Sequence, residues 1–111
     1  MSGRNIQAIP RTMFNSAGLG VPYLPINPGG LTAPCFLLRL TNDSNVGITI
    51  SYDGITAHDY IASDSAKDLP GSLALQEIGT TGTWKKGTTV YVSGLAAGAG
   101  YLFLSGYYLI G

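Results

Sequence analysis

The chain has 111 residues, six basic and six acidic, and no net charge; that length supports one domain. Only 11% of its residues are charged, against roughly 25% in an average domain, and a neutral, sparsely charged surface favours association over dispersal. No basic run interleaves with aromatics and there is no excess of positive charge, which excludes a nucleic-acid-binding face.

Residues 1–34 hold five of the six prolines and no acidic residue. The opening MSGRNIQAIPR lacks the apolar core of a signal peptide, so synthesis and retention in a cytoplasm are expected. Residues 1–14 read as one strand or an extended segment, with Pro10 interrupting any central ladder. In residues 15–34, Pro22, Pro25 and Pro28 at three-residue spacing favour polyproline-like extension. The same stretch carries Leu19, Val21, Tyr23, Leu24, Ile26 and Leu31, too much apolar area for a solvated linker. Arg4, Arg11 and Arg39 are the only charges before Asp43; from Asp43 onward, Lys67, Lys85 and Lys86 face six acidic residues. These features predict an extended arm, residues 1–34, lying on a surface, its own or a neighbour's, and reaching a neighbouring subunit or the capsid, with Arg4, Arg11, Met13, Phe14, Tyr23, Leu24 and Ile26 as its contact residues.

Residues 35–111 read as a β body. Residues 35–41 alternate Phe36, Leu38 and Leu40 against Cys35, Leu37 and Arg39, and Asn42–Asn45 predicts a turn. Residues 46–52 place Val46, Ile48, Ile50 and Tyr52 on one face, the pattern of a sheet with one buried side. Asp53-Gly54 signals a hairpin leading to a strand that ends at Ile61. Residues 62–71 predict a polar loop, 72–78 a strand, and 79–83 another loop. Strands over 88–93 and 101–110 follow, with Gly106 marking a bulge or a close approach. The uncharged stretch 87–111 is too rich in glycine and tyrosine for a membrane helix and divides into two alternating runs. The fold class expected is all-β: an antiparallel, jelly-roll-like β-sandwich over 35–111 with the arm before it.

Chemistry-bearing residues are sparse. The only histidine, His58, neighbours Asp59, but successive strand residues point to opposite faces, so Asp59 is not placed to orient the ring. Cys35, the only cysteine, reads as a small buried hydrophobe. Asp53, Asp59, Asp64 and Asp68 lie in or beside loops, at a spacing that matches no EF-hand; they read as turn formers ahead of calcium ligands. Asn42-Asp43-Ser44 satisfies the glycosylation pattern. Trp84, Tyr91, Tyr101, Tyr107 and Tyr108 supply aromatic area either for a sugar-stacking platform or, more economically, for a core or subunit contact. No cofactor, no metal and no enzymatic activity are expected.

The segment TNDSNVGITISYDGITAHDYI (Thr41 to Ile61), then KKGTTVYVSG (Lys85 to Gly94) and GYLFLSGYY (Gly100 to Tyr108), resembles small virion proteins of tailed bacteriophages. The similarity covers residues 35–110 and rests on structural motifs: an Asn-rich turn, a strand ending in Tyr-Asp-Gly, a Lys-Gly-Thr turn and a terminal Gly-Tyr-Tyr strand. It implies a β-sandwich that assembles in the virion within the host cytoplasm. The implied role is a capsid decoration or cement protein that forms homo-oligomers and contacts other virion proteins, either the major capsid protein or neck proteins. A neck, collar or tail component is the neighbouring expectation, and a carbohydrate- or receptor-binding β module the competing one. No membrane partner is expected.

Overall fold

The computed structural model describes residues 5–70, 83–96 and 100–110. Among these residues there are nine strands: β1 (Asn5–Ala8), β2 (Thr12–Asn15), β3 (Leu24–Pro25), β4 (Leu37–Ser44), β5 (Ile48–Ser51), β6 (Asp59–Ile61), β7 (Ser65–Pro70), β8 (Tyr91–Gly94) and β9 (Gly100–Ile110). A single 3-10 turn, Ser16–Gly18, follows β2 and is capped by the Asn15 side chain, which accepts from the Ala17 backbone N–H.

Every strand pair is antiparallel, and the pairing follows one rule. β1 and β2 share β9 as partner, so together they act as a single first strand. That first strand pairs with the last, β3 with β8, β4 with β7 and β5 with β6. This is a long hairpin. It rolls up because β4 also pairs with β9 and β5 with β8. One sheet then runs β1/β2–β9–β4–β7 and the other β3–β8–β5–β6. That is the jelly-roll order, two antiparallel sheets formed from a folded hairpin.

Alternation along the strands decides what the sheets enclose. Leu38, Leu40, Leu102, Leu104 and Leu69 point inward from the first sheet, and Ile48, Ile50, Ile61 and Val92 from the second; all are buried. Val46 and Tyr52 pack against this core, so the face expected of residues 46–52 is the inner one.

The boundary expected at residue 34 does not divide the molecule. Of the stretch read as an arm, residues 5–34 belong to the sandwich. β1 and β2 form an edge of the first sheet, β3 an edge of the second, and Ile9, Leu19, Ile26 and Leu31 are core residues. The proline-rich part is extended, as its spacing predicts, but it lies on its own sheet. Ile26 N–H donates to the Val90 carbonyl (2.9 Å) and Leu31 N–H to that of Thr88 (3.0 Å). Prolines donate nothing to a ladder, and the buried Asn27 side chain supplies extra bonds, accepting from Val90 N–H (2.9 Å) and donating to the Thr88 carbonyl (3.1 Å). Gly30 has φ +83, and a Cβ there would sit 2.2 Å from the Gly87 carbonyl oxygen, so the two chain segments meet at a point that admits only glycine.

Three further boundaries differ from expectation. β4 continues through Asn42 and Asp43 to Ser44, into the turn expected at 42–45. The β5–β6 hairpin exists, but residues 52–58 separate its strands in place of a tight two-residue turn. Residues 65–70, expected as loop, are the edge strand β7; only Leu69 is buried, and Lys67, Asp68 and Pro70 are the residue types that keep an exposed edge from pairing further. The strand expected over 72–78 and the loop over 79–82 lie outside the described residues. Gly106 marks a close approach: a Cβ there would sit 2.9 Å from Ile9 Cδ1 and 3.0 Å from Cys35 Sγ.

Deleting residues 2–25 therefore removes one partner of β9 and the buried Ile9 and Leu19. The truncated chain is expected to show no cooperative thermal unfolding transition by circular dichroism, whereas a detachable arm would leave the transition intact.

Candidate functional site

Strand β9 has two faces with different jobs. Leu102, Leu104, Gly106 and Tyr108 turn inward; Tyr101, Phe103, Ser105 and Tyr107 turn outward. Cross-strand register sets their neighbours. Met13 and Thr41 flank Phe103, Asn15 and Asp43 flank Tyr101, and Ala8 and Leu37 flank Tyr107. Ile6 continues the outer face along β1. Ile6 is 65% exposed, Met13 59% and Tyr101 40%; Leu37, Phe103 and Tyr107 are half-buried. The Arg11 guanidinium lies 4.4 Å from the Phe103 ring centroid, a cation–π contact. Arg39 donates to Asp68 through Nε (2.7 Å) and Nη2 (3.3 Å), which holds the Asp68 carboxyl below its ordinary value. A shallow open groove of about 570 Å³ runs across this face between Arg11, Arg39, Asp43, Asp64, Phe103 and Tyr107.

The contact residues expected from the sequence do not converge. Arg11 and Met13 are on this outer face. Phe14 lies opposite Leu102 and packs on the core, and Ile26 is a buried core residue, so neither serves as an external contact. Tyr23 is half-buried, and Leu24 sits on β3 in the other sheet. Arg4 lies outside the described residues. The members missed are Ile6, Phe103 and Leu37. The available signal was the odd-numbered half of the 101–107 alternation, which is as apolar as the even-numbered half.

The aromatic residues considered as a sugar platform are dispersed. Trp84 is buried and its Nε1–H donates to the Leu69 carbonyl (2.9 Å). Tyr108 packs on the core, and Tyr91 lies under Gly54 of the 52–58 loop. Tyr101 and Tyr107 belong to the β9 outer face.

His58 and Asp59 each bind Tyr52 and make no hydrogen bond to one another. The Tyr52 backbone N–H donates to His58 Nδ1 (3.1 Å), and its hydroxyl donates to Asp59 Oδ2 (2.7 Å). The Tyr52 ring stacks on His58 at 5.3 Å and tilts against Trp84 at 5.4 Å. Burial, and then the bond to Asp59, raise the Tyr52 hydroxyl above its ordinary pKa. The arrangement pins the 52–58 loop to the sandwich and presents no nucleophile beside the imidazole. Cys35 is fully buried, bridges Trp84 through backbone bonds, and has its thiol pKa raised by that burial.

Three of the four aspartates considered as calcium ligands, all but Asp64, have other side-chain partners. Asp53 Oδ1 accepts from the backbone N–H groups of Thr56 (2.8 Å) and Ile55 (2.8 Å) and from the Ser51 hydroxyl (2.9 Å). The first two of these are the main reason its carboxyl is held well below the usual range. Asp59 takes Tyr52, and Asp68 takes Arg39. Among the described residues no group of three or more His, Cys, Asp or Glu is placed to hold a metal ion. No helix among the described residues is long and apolar enough to cross a membrane.

The glycosylation pattern falls on a buried side chain. Asn42 Nδ2 donates to the carbonyls of Val46 (2.7 Å), Ala62 (3.1 Å) and Ile61 (3.4 Å), and its Oδ1 accepts from Ser44 Oγ (2.6 Å). It is fully inaccessible and ties the turn after β4 to the end of β6.

No protein-family model matches the chain, and no curated protein matches it. Among solved structures, a similar chain belongs to the work described as "Bacillus endospore appendages form a novel family of disulfide-linked pili". That similarity spans 97% of this chain and 89% of the other, at 15% identity and a TM-score of 0.49. The jelly-roll order above comes from this chain's own strand pairing.

Two predictions follow from these clusters. Asn42→Ala removes the side-chain donor to the Ile61 and Ala62 carbonyls, leaves the Val46 carbonyl only its bond from Ser44 Oγ (3.1 Å), and is expected to cost about 2–4 kcal/mol in denaturant unfolding. For Asp53 the folded pKa is depressed, so its contribution is present above the unfolded value of about 3.9 and is lost as pH falls through the lower folded value. A carbon-13 titration should find the Asp53 carboxyl still ionised near about pH 3, where an unperturbed aspartate is mostly protonated. An ordinary midpoint would show that the loop bonds do not form in solution.

Proposed function

We propose that this chain is a non-enzymatic structural subunit of a tailed-bacteriophage particle, acting as a capsid decoration or cement protein. The carrying observation is the outer face of β9, where Ile6, Met13 and Tyr101 stand exposed on a sandwich whose polar side chains are largely spent on its own loops. Among the described residues such a molecule offers surface for contact and no assembled set of reacting groups. Similarity of the 41–61, 85–94 and 100–108 segments to small phage virion proteins supports the particle as the setting. The 11% charge content supports a surface that is covered in the working state.

The mechanism is mass action. A subunit that binds assembled capsid and not its separated components raises the stability of the assembled form by its binding free energy. Oligomerisation and contact with other virion proteins are parts of this reading. A neck or collar position would use the same surfaces on a different partner. The sugar-binding alternative has less support, because the aromatics are split between the core, the 52–58 loop and the β9 face.

Mass spectrometry of purified particles from a phage encoding this chain is the test. The expected result is the chain present at a fixed, many-copy ratio to the major capsid protein, with particles lacking it disrupting at lower temperature. Absence of the chain from purified particles would remove the proposal.

A further inference from the structure

We propose that the outer face of the β1/β2–β9–β4–β7 sheet is a self-contact, at which two copies of this chain pack face to face about a two-fold axis passing over Phe103. The inference deepens the reading of a self-associating subunit and rests on that part of it alone.

Three observations point to a second copy as the occupant. The first is apolar continuity. Ile6, Met13 and Tyr101 are exposed, and the half-buried Phe103, Tyr107 and Leu37 connect them into one surface in register across three strands. The outer side of the other sheet rests on strands of two to four residues and offers a smaller platform.

The second observation is charge. Among the described residues the ion pairs are Arg39–Asp68 and Lys67–Asp59. Arg11, Asp43 and Asp64 therefore have no oppositely charged partner there, and all three border the groove on this face. Arg11 lies on the β2 side of β9 and Asp43 on the β4 side, with Phe103 between them. A two-fold axis in the contact plane over Phe103, perpendicular to the line joining Arg11 and Asp43, exchanges the two positions. Each Arg11 then meets the partner's Asp43, so the surface complements itself, as an isologous contact requires. A different partner would have to supply both charges in the same arrangement.

The third is size. β9 is 11 residues long, β4 8 and β7 6, and β1 with β2 spans Asn5–Asn15; at about 4.8 Å spacing and about 3.3 Å rise these give a flat footprint on the order of 600 Å². Pleated and studded with side chains, that surface approaches the roughly 800 Å² per partner of a standard stable interface.

The test is sedimentation of the full chain from about 1 to 100 µM. Wild type is expected to sediment at twice the chain mass, and Met13→Asp to dissociate at least about tenfold more readily while keeping its thermal transition, since Met13 points away from the core. The discriminating variants are Arg11→Asp and Asp43→Arg. Each alone sets like charges against each other twice per dimer and should be mainly monomeric. Mixed in equal amounts they form a heterodimer with one native Arg11–Asp43 pair and one charge-reversed pair, and should recover the dimer, a rescue that a folding defect cannot produce. A monomeric wild type throughout the range overturns the inference, as does an oligomer indifferent to Met13→Asp or one that mixing fails to restore. A monomer that is nevertheless found in particles sinks this inference and leaves the proposed function standing, with another virion protein on the face. A rescued dimer absent from particles does the reverse.

Discussion

Strand β9 is hydrogen-bonded along both edges, and the rest of the structure depends on that double pairing. On one side Leu37–Ser44 of β4 runs against Gly100–Tyr107; on the other, β1 and β2 cover the same strand from Ile110 to Tyr101. An isolated strand contributes little, because its backbone groups stay in water and its side chains bury on neither face. Paired on both edges, β9 fixes which residues line the core and which face out. Leu102 and Leu104 then complete the apolar interior, and Tyr101, Phe103 and Tyr107 are left on one outer surface. The core and the proposed contact are two sides of one strand.

The same pairing explains the fate of the N-terminal segment. Its prolines prevent helix formation and its apolar residues need cover, and both inferences hold in the structure. The cover, however, is the chain's own body. In a rolled hairpin the first strand belongs beside the last, so the N-terminal residues are as integral as any others. Composition registers apolar area and backbone stiffness but not which surface receives them. The distinction between a segment lying on a neighbour and one lying on itself is a matter of long-range pairing, which local pattern does not encode.

Where local pattern and burial coincide, the fold was legible in the sequence. The alternation of 46–52 identified an inner face, the runs 35–41 and 101–110 marked strands, and Gly106 signalled a close approach, which Ile9 and Cys35 supply. It was not legible where another force intervened. At Ile9–Arg11 three residues oppose Ser105 and Gly106, a bulge that shifts the register by one. Outward positions are therefore even-numbered in β1 and odd-numbered in β2, so no single alternation runs through Ile6, Ala8 and Met13. β7 lacks the apolar signature of a strand because it is an edge with one buried residue. Asn42 and Ser44 look like turn residues, and their side chains do make turn-like bonds, but from inside the sandwich. The candidate contact was half legible: Arg11 and Met13 were identified, whereas Phe14 and Ile26 have the same composition and the opposite orientation.

The central claim is that the N-terminal strands are part of the same cooperative unit as β9. Peptide-resolved amide hydrogen exchange on the intact protein tests it directly. Backbone amides in a ladder exchange only when the ladder opens, and strands of one cooperative unit open together. The account predicts that peptides spanning residues 5–15 and 100–110 are protected to a similar, near-global degree. Exchange of residues 5–15 within seconds, with β9 still protected by β4, would contradict it.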